Sequence, residues 1–252
     1  MSGRLSFDGK VAIVTGAGAG LGRVYALGLA ERGAAVIVND LRSEGAEAVA
    51  DEIRAAGGRA LAVAGSVTEA ETAAAMADAA MREWGRIDIL VANAGIVRDK
   101  SFAKMTVEDF RLVVEVHLMG AVHACKAVWP VMQGQGYGRI LLTTSAAGLF
   151  GNFGQANYSA AKMALIGLMQ TLGIEGQKYG IHVNALAPTA ATSMTEGILD
   201  KLMQARLAPE KVLPALLVLT HDSAPTRTIL AAGGDSFEAV RIVETQGIRL
   251  TG

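Results

Sequence analysis

Seven short apolar stretches recur along this chain of 252 residues, and longer segments rich in alanine separate most of them. They read KVAIVTG, AVIVND, RALAVAG, IDILVANAG, GRILLTTS, IHVNALAP and RTILAAG. Most are apolar without interruption rather than alternating with polar residues, which is typical of strands that are buried on both faces. Strands that alternate with helices form βαβ units. The sequence therefore predicts an α/β fold with a doubly wound parallel sheet.

The chain is expected to form one domain that covers residues 1–252. No fixed-period repeat, low-complexity tract or flexible linker divides it, and its length suits a single α/β domain. The segment 195–220 lies between the sixth and seventh stretches, and Pro209 and Pro214 break it into short helices. We predict a lid on the substrate side there, and packing against the sheet is the alternative.

The composition argues against a membrane span and against nucleic-acid binding. Hydrophobic residues make up 51% of the chain, yet no apolar run reaches the roughly 18 to 20 residues that span a bilayer. The chain has 23 Lys and Arg against 24 Asp and Glu, with no basic block. Its single cysteine, Cys125, excludes an internal disulfide framework.

The termini and the histidines support two further expectations. The first residues, MSGRLSFDGK, lack an apolar signal core, and the last, GIRLTG, lack a peroxisomal tripeptide, which predicts a cytoplasmic location. His117 and His123 are six positions apart and do not share one helical face. We therefore predict no metal site.

A glycine-rich loop follows the first apolar stretch and opens a helical segment. Its sequence, TGAGAGLG, fails the general G-x-G-x-x-G pattern because Leu21 stands at the third glycine position. It fits T-G-x-x-x-G-x-G with Gly16, Gly20 and Gly22. Glycines let the backbone approach a pyrophosphate, which the N–H groups of a helix start then bind. We predict that Gly16, Gly20, Leu21 and Gly22 bind a dinucleotide. The alternative is a tight turn without a ligand, which would also require glycines.

Asp40 ends the second apolar stretch, 18 residues after Gly22. A carboxylate at this point accepts hydrogen bonds from both ribose hydroxyls and repels a 2′-phosphate, which favours NAD over NADP. Arg42 is the counter-argument, since its charge would neutralise a phosphate if Asp40 turned away. A solvated charge at the end of a strand is the remaining alternative for Asp40.

Tyr158 and Lys162 lie four residues apart, so a helix places them on one face. A tyrosine has a pKa near 10 and must lose about three units, roughly 4 kcal/mol, to exchange protons near pH 7. A neighbouring ammonium and an oxidised nicotinamide together would supply this shift. Ser145 ends the fifth stretch and is expected to hold the substrate oxygen. Thr143 and Thr144 beside it are expected to be structural.

Together these residues resemble the short-chain dehydrogenase/reductase family. The resemblance covers about residues 10–188 and rests on the glycine loop, the NAG sequence at 93–95, Ser145 and Y-x-x-x-K at 158–162. It implies a single Rossmann-like domain with a seven-stranded parallel sheet flanked by helices, assembled as a tetramer or dimer. It also implies hydride transfer between a nicotinamide and a secondary alcohol or ketone.

The resemblance assigns roles to individual residues. Tyr158 would exchange the proton, Ser145 would orient the substrate, and Lys162 would bind the nicotinamide ribose and lower the tyrosine pKa. The resemblance also predicts cofactor contacts by Asn93, Gly95, Ser66 and Val67. Ser66 and Val67 occupy the positions at which the family has an Asp-Val pair around the adenine.

Longer stretches, including NAGIVRDKSF and GNFGQANYSAAKMALIG, are similar to the (3R)-hydroxyacyl-CoA dehydrogenase domain of peroxisomal multifunctional enzyme type 2. Members of that group oxidise 3-hydroxyacyl-CoA thioesters with NAD, and some act on steroid alcohols. The resemblance implies a (3R)-3-hydroxyacyl-CoA or a similarly bulky lipid or steroid alcohol as the substrate. The alternatives are an NADPH-dependent 3-oxoacyl-carrier-protein reductase and a catalytically silent cofactor-binding sensor or scaffold.

Three positions depart from the general family pattern. His117 replaces an asparagine of the proton relay, and it is either a catalytic supporting residue or a packed core residue. Pro188-Thr189 replaces Pro-Gly, so the hydroxyl that meets the nicotinamide carboxamide is assigned to Thr192, with Ser193 and Thr195 as alternatives. Ser66 replaces the aspartate near the adenine.

Side chains around the expected cleft allow two interpretations each. Phe150 and Phe153 line an apolar substrate channel or pack in the core. Arg98, Lys100 and Lys104 meet the phosphates of a CoA thioester or form a solvated basic loop.

Overall fold

The computed structural model describes residues 5–191 and 200–249. Its strands are β1 Val11–Val14, β2 Ala35–Asp40, β3 Arg59–Ala64, β4 Ile89–Ala92, β5 Gly138–Thr143, β6 Ile181–Pro188, β7 Ile229–Gly233 and β8 Ser236–Val240. Its α-helices are α1 Gly20–Ala30, α2 Ser43–Ala55, α3 Ala70–Trp84, α4 Val107–Val114, α5 Gly120–Gln135, α6 Ala146–Phe150, α7 Ala156–Gly176, α8 Lys201–Arg206 and α9 Leu213–Thr220. The seven apolar stretches of the sequence correspond to strands β1 to β7.

All eight strands form one sheet in the order β3-β2-β1-β4-β5-β6-β7-β8. Strands β1 to β7 are parallel, which confirms the predicted doubly wound sheet. The strand order reverses between β1 and β4. In open parallel sheets, ligands bind at the carboxyl ends of the strands at such a reversal. The loops after β1, β2, β4 and β5 therefore surround the candidate site.

The sheet is covered on both faces because successive strand residues point in opposite directions. In β1, Val11 and Ile13 pack into a core with helices α3, α5 and α7. Ala12 and Val14 pack into a second core with α1, α2 and α9. The uninterrupted apolar character of the strands follows from these two cores, since neither face of a central strand meets water.

The eighth strand is the difference from the predicted seven-stranded sheet. Strand β8 pairs antiparallel with β7 through a two-residue turn at Gly234 and Asp235. Both turn residues have positive φ, 57° for Gly234 and 66° for Asp235, as a tight hairpin turn between twisted strands requires. Four of the five β8 residues are exposed, and the strand is not a continuous apolar run. The prediction of strands from apolar runs therefore did not include it.

Helices α4 and α5 form one continuous helical stretch, Val107–Gln135, joined by a π-helical turn at Glu115–Met119. By length and composition alone this stretch is long and apolar enough to cross a membrane. Its inward side chains, among them Val113, Ala124 and Val128, are buried in the protein. Core helices pass the same length and composition test, so the stretch is explained by packing on the sheet.

The proposed lid segment divides into two parts with different surroundings. Residues 195–199 lie outside the described residues. Helix α8 is largely exposed, whereas α9 buries Leu216 and Leu219 in the core that it shares with α1. The second half of the segment therefore packs against the sheet, and a lid role stays a prediction for the part around α8.

Candidate active site

The glycine loop turns tightly between β1 and the first turn of α1. A Cβ atom on Gly22 would lie 2.1 Å from the carbonyl oxygen of Gly16, so the loop closes only with glycine there. Gly20, Leu21 and Gly22 form the start of α1, and no side chain caps this end. Their N–H groups are therefore available to an anion. The cradle fits the pyrophosphate of a dinucleotide.

Thr15 and Asn93 tie the glycine loop to the end of β4. The N–H groups of Asn93 and Ala94 donate to Thr15 Oγ1 at 3.0 and 3.1 Å. The Asn93 side-chain amide donates to the carbonyl oxygens of Thr15 and Gly16 at 3.0 and 3.2 Å. Asn93, predicted as a cofactor contact, thus also fixes the shape of the cradle. Thr15 is a supporting residue that the sequence analysis did not single out.

Asp40 faces the glycine loop from the end of β2. The N–H of Gly18 donates to one carboxylate oxygen at 3.0 Å, and the N–H of Arg42 donates to the other at 3.2 Å. These two bonds fix the carboxylate beside the cradle. Each carboxylate oxygen retains a further lone pair, which suits the two hydroxyls of a ribose.

Ser66 and Val67 follow β3 and approach the same edge of the sheet. The hydroxyl of Ser66 lies 2.8 Å from that of Thr68. Val67 is buried against Gly120 of α5, and its carbonyl oxygen lies 3.1 Å from a ring nitrogen of His123. The loop is therefore held by contacts on both sides.

Lys162 is buried beneath the site and anchors α7 to β5. Its ammonium donates to the carbonyl oxygen of Thr143 at 2.5 Å, and the Thr144 hydroxyl donates to the carbonyl oxygen of Lys162 at 2.8 Å. The Thr144 hydroxyl is thus structural, as expected, whereas Thr143 contributes its backbone carbonyl oxygen. Burial lowers the pKa of Lys162 to about 7, because a buried ammonium loses its hydration. Its nitrogen lies 5.5 Å from the centre of the Tyr158 ring.

Ser145 and Tyr158 come together at the carboxyl end of β5. Ser145 is the N-cap of α6, and its hydroxyl accepts a hydrogen bond from the N–H of Ala147 at 3.2 Å. Burial raises the pKa of Tyr158, and a hydrogen bond with the Ser145 hydroxyl opposes that rise only in part. In the protein alone desolvation dominates. The predicted lowering of this pKa includes the charge of a bound oxidised nicotinamide and stays a prediction.

His117 lies beside Tyr158 in the π-helical turn. The two rings meet edge to face at 5.1 Å. Nε2 of His117 lies 2.7 Å from the carbonyl oxygen of Ile96 and 3.1 Å from the backbone nitrogen of the same residue, so either tautomer is held by a hydrogen bond to Ile96. Burial, and then the charge of Lys162, lowers the pKa of His117 to about 3. The ring is therefore neutral at physiological pH, which suits positioning rather than proton exchange.

A cavity of about 10 Å³ lies between His117 and the sheet, close to the volume that one water molecule needs. Thr15, Thr143 and Lys162 also line it. His117 Nδ1 and Thr143 Oγ1 are buried and have no hydrogen-bond partner within residues 5–191 and 200–249. The cavity is thus lined by polar side chains although it is buried.

The mouth of the site is formed by two loops, around residues 98–104 and 151–155. The N–H of Lys100 donates to the carbonyl oxygen of Gly154 at 2.9 Å, which joins them. Phe150 and Phe153 are 75% and 91% exposed, so they are not core residues. The Lys100 ammonium pairs with Asp109 at 2.8 Å. The predicted carboxamide contact, Thr192, lies outside the described residues.

The fold and these residues define a nicotinamide-dependent oxidoreductase. The family described as short chain dehydrogenase matches residues 10–202, which is most of the chain. The chain therefore belongs to the short-chain dehydrogenase family.

Curated relatives refine this assignment. The chain is 52% identical over 230 residues to the peroxisomal hydratase-dehydrogenase-epimerase of Saccharomyces cerevisiae, which covers 88% of the chain and 26% of that protein. It is 49% identical over 232 residues to the peroxisomal multifunctional enzyme type 2 of Mus musculus, covering 88% of the chain and 31% of the enzyme. The chain thus spans about a quarter to a third of these two relatives. A 3-oxoacyl-[acyl-carrier-protein] reductase of Synechocystis is 43% identical over 223 residues, covering 85% of the chain and 90% of the reductase.

Solved structures show the same architecture. Full-length peroxisomal multifunctional enzyme type 2 from Drosophila melanogaster superposes with a TM-score of 0.84 at 41% identity, covering 98% of this chain and 42% of that one. A 7α-hydroxysteroid dehydrogenase complexed with NADH and 7-oxo glycochenodeoxycholic acid gives a TM-score of 0.84 at 33% identity, covering 91% of this chain and 94% of that one.

The buried lysine predicts a pH dependence of stability for the protein without cofactor. The pKa of Lys162 is about 7 in the folded protein and 10.5 for a lysine in the unfolded chain. Between pH 7 and 10.5 the unfolded chain therefore binds more protons than the folded protein, and the free energy of unfolding rises with pH. From pH 7 to 8.5 the lysine should contribute a rise on the order of 1 to 2 kcal/mol. Urea denaturation of wild type and Lys162→Met measures this contribution as the difference between the two pH profiles. Parallel profiles would contradict it.

Proposed function

We propose that the protein is an NAD-dependent dehydrogenase that interconverts a secondary alcohol and a ketone on a (3R)-3-hydroxyacyl-CoA or a similarly bulky lipid or steroid alcohol. The observation that carries the proposal is the meeting of Ser145, Tyr158 and the buried Lys162 at the end of β5, next to the glycine cradle. Hydroxyl, phenol and ammonium at one point are the groups that alcohol oxidation needs.

Each group has a separate task in the oxidation. A bound nicotinamide supplies the hydride acceptor. As the phenolate, Tyr158 would accept the proton of the substrate hydroxyl while hydride leaves the adjacent carbon, and Ser145 would donate a hydrogen bond to the same oxygen as it becomes a carbonyl. Lys162 would stabilise the phenolate by its charge and would hydrogen-bond the nicotinamide ribose. His117 holds the tyrosine ring from the side as a neutral group.

The substrate class is inferred from the mouth of the site and from the relatives. The two exposed phenylalanines offer an apolar surface to a long substrate. The multifunctional-enzyme relatives are more similar to the chain than the carrier-protein reductase, which favours a CoA thioester over a carrier protein. Arg98 and Lys104 are candidates to meet the phosphates of CoA, since Lys100 is paired with Asp109.

The choice of NAD rests on Asp40, whose fixed carboxylate would repel a 2′-phosphate. Gly16, Gly20, Leu21 and Gly22 would hold the pyrophosphate through the cradle. Asn93 and Gly95 would line the nicotinamide half, and Thr192 would contact the carboxamide.

Association into a dimer or tetramer is proposed from exposed apolar residues on two adjacent helices. Met163 and Ile174 on α7 are 41% and 58% exposed, and Leu112 on the neighbouring α4 is 42% exposed. Exposed apolar side chains on two helices that pack together favour an interface at this face.

A cytoplasmic location is proposed on the sequence alone.

Tyr158→Phe tests the mechanism. Loss of the phenol removes the proton acceptor, so kcat should fall by about 10²- to 10⁴-fold while the Kd for NADH stays within about threefold. NAD reduction is measured with short, medium and long (3R)-3-hydroxyacyl-CoA thioesters and with hydroxysteroids, and Tyr179→Phe is the control. Near-normal turnover by Tyr158→Phe would contradict the mechanism. Tight NADH binding by the wild type with no turnover of any substrate would favour a cofactor-binding sensor.

Asp40→Asn tests the choice of cofactor. The substitution keeps an acceptor for the Gly18 N–H and removes the charge that repels a 2′-phosphate. We expect the wild type to favour NADH over NADPH by about 10²-fold in kcat/KM for ketone reduction, and the variant to lose about tenfold or more of this preference. Arg42→Ala, as the control, should retain it. A wild type that prefers NADPH would instead support the carrier-protein reductase.

Gly167→Glu tests the interface. A Cβ atom on Gly167 would meet no atom within 4 Å, so the fold should tolerate the change while a charge enters the exposed face of α7. Sedimentation velocity should show an oligomer for the wild type and a smaller species for this variant. Gly134→Glu, on α5 and equally unobstructed, is the control and should assemble normally. A monomeric wild type would contradict the proposal.

A further inference from the structure

The base of a bound dinucleotide would lie at the outer part of the sheet. The reacting groups are at the end of β5 and the ribose-binding carboxylate is at the end of β2, with β4 and β1 between them. A cofactor that spans these points continues beyond Asp40 toward β3. The loop Gly65–Thr68, which follows β3, is the next part of the chain there, and the N–H of Gly65 donates to the carbonyl oxygen of Asp40 at 3.0 Å. This placement rests on the proposed function.

The polar side chains of this loop bond to each other. Ser66 Oγ lies 2.8 Å from Thr68 Oγ1, and the N–H of Thr68 donates to Ser66 Oγ at 3.3 Å. The other two residues of the loop, Gly65 and Val67, have no polar side chain. The loop therefore contains no carboxylate or amide side chain that would serve as a strong acceptor for an amino group.

The surroundings of the loop limit its movement. Val67 is buried against Gly120, which fixes the backbone of the loop between the two hydroxyls. On the other side of the ribose position, Leu41 directly follows Asp40 and is 72% exposed. A purine ring between this side chain and the loop would be held by apolar contact over its faces, which is insensitive to the substituent on its edge.

We infer that this protein does not recognise the 6-amino group of the adenine. The amino group is a hydrogen-bond donor, and discrimination for it requires an acceptor whose loss is costly. The Ser66 hydroxyl is a neutral acceptor that Thr68 already shares, so the amino group gains much less from it than from a carboxylate. The site accordingly binds dinucleotides whose base lacks the amino group about as tightly as it binds the adenine form.

Equilibrium binding tests this inference without catalysis. The probes are NADH and its analogue with unsubstituted purine in place of adenine, which lacks only the 6-amino group, and nicotinamide fluorescence measures each Kd. For the wild type the two Kd values should agree within about threefold. Ser66→Asp keeps an acceptor for the Thr68 N–H and adds a charged acceptor for the amino group. In this variant NADH should bind at least about tenfold more tightly than the analogue.

Ser66→Ala is the matched control, and its two Kd values should also agree. A wild type that binds NADH at least tenfold more tightly than the analogue would overturn the inference while leaving the proposed function intact. A Ser66→Asp variant without a preference would place the base elsewhere and would also overturn it. Failure of NADH to bind the wild type at all would overturn both the inference and the proposed function.

Discussion

The buried ammonium of Lys162 is the constraint around which the site is built. Burial of a charge is strongly unfavourable, and the carbonyl oxygen of Thr143 offsets part of this cost as the partner of the ammonium. The Thr144 hydroxyl bonds the lysine backbone in turn, and together these contacts join α7 to the end of β5. The same two bonds set the distance between Tyr158 on the helix and Ser145 after the strand.

The sheet brings the remaining parts to this point. Carboxyl ends of parallel strands share one edge, so loops that are far apart in sequence converge there. Thr15 and Asn93 show how firmly they are joined, since side chains after β1 and β4 bond the backbone of each other's loops. A preorganised cradle of this kind loses little conformational entropy when a dinucleotide binds.

Much of this arrangement could be predicted from local patterns. Apolar runs identified β1 to β7, and glycine spacing identified the loop before α1, because burial and turn geometry act on adjacent residues. Strand β8 was missed because its stability comes from pairing with β7 rather than from its own apolar residues. The rise that burial causes in the pKa of Tyr158 could not be predicted, because desolvation depends on tertiary packing that a sequence does not display. The assigned roles of His117, Ser66 and Thr192 stay predictions.

The close packing of Gly95 against His117 limits which substitutions this site tolerates during evolution. A Cβ atom on residue 95 would lie 2.2 Å from the imidazole Cε1, so no larger side chain fits while the histidine is present. A smaller residue at 117 would leave a void beside Tyr158 unless position 95 grew to fill it. A larger residue at position 95 therefore requires a smaller one at 117, and directed-evolution libraries should vary position 95 only together with position 117.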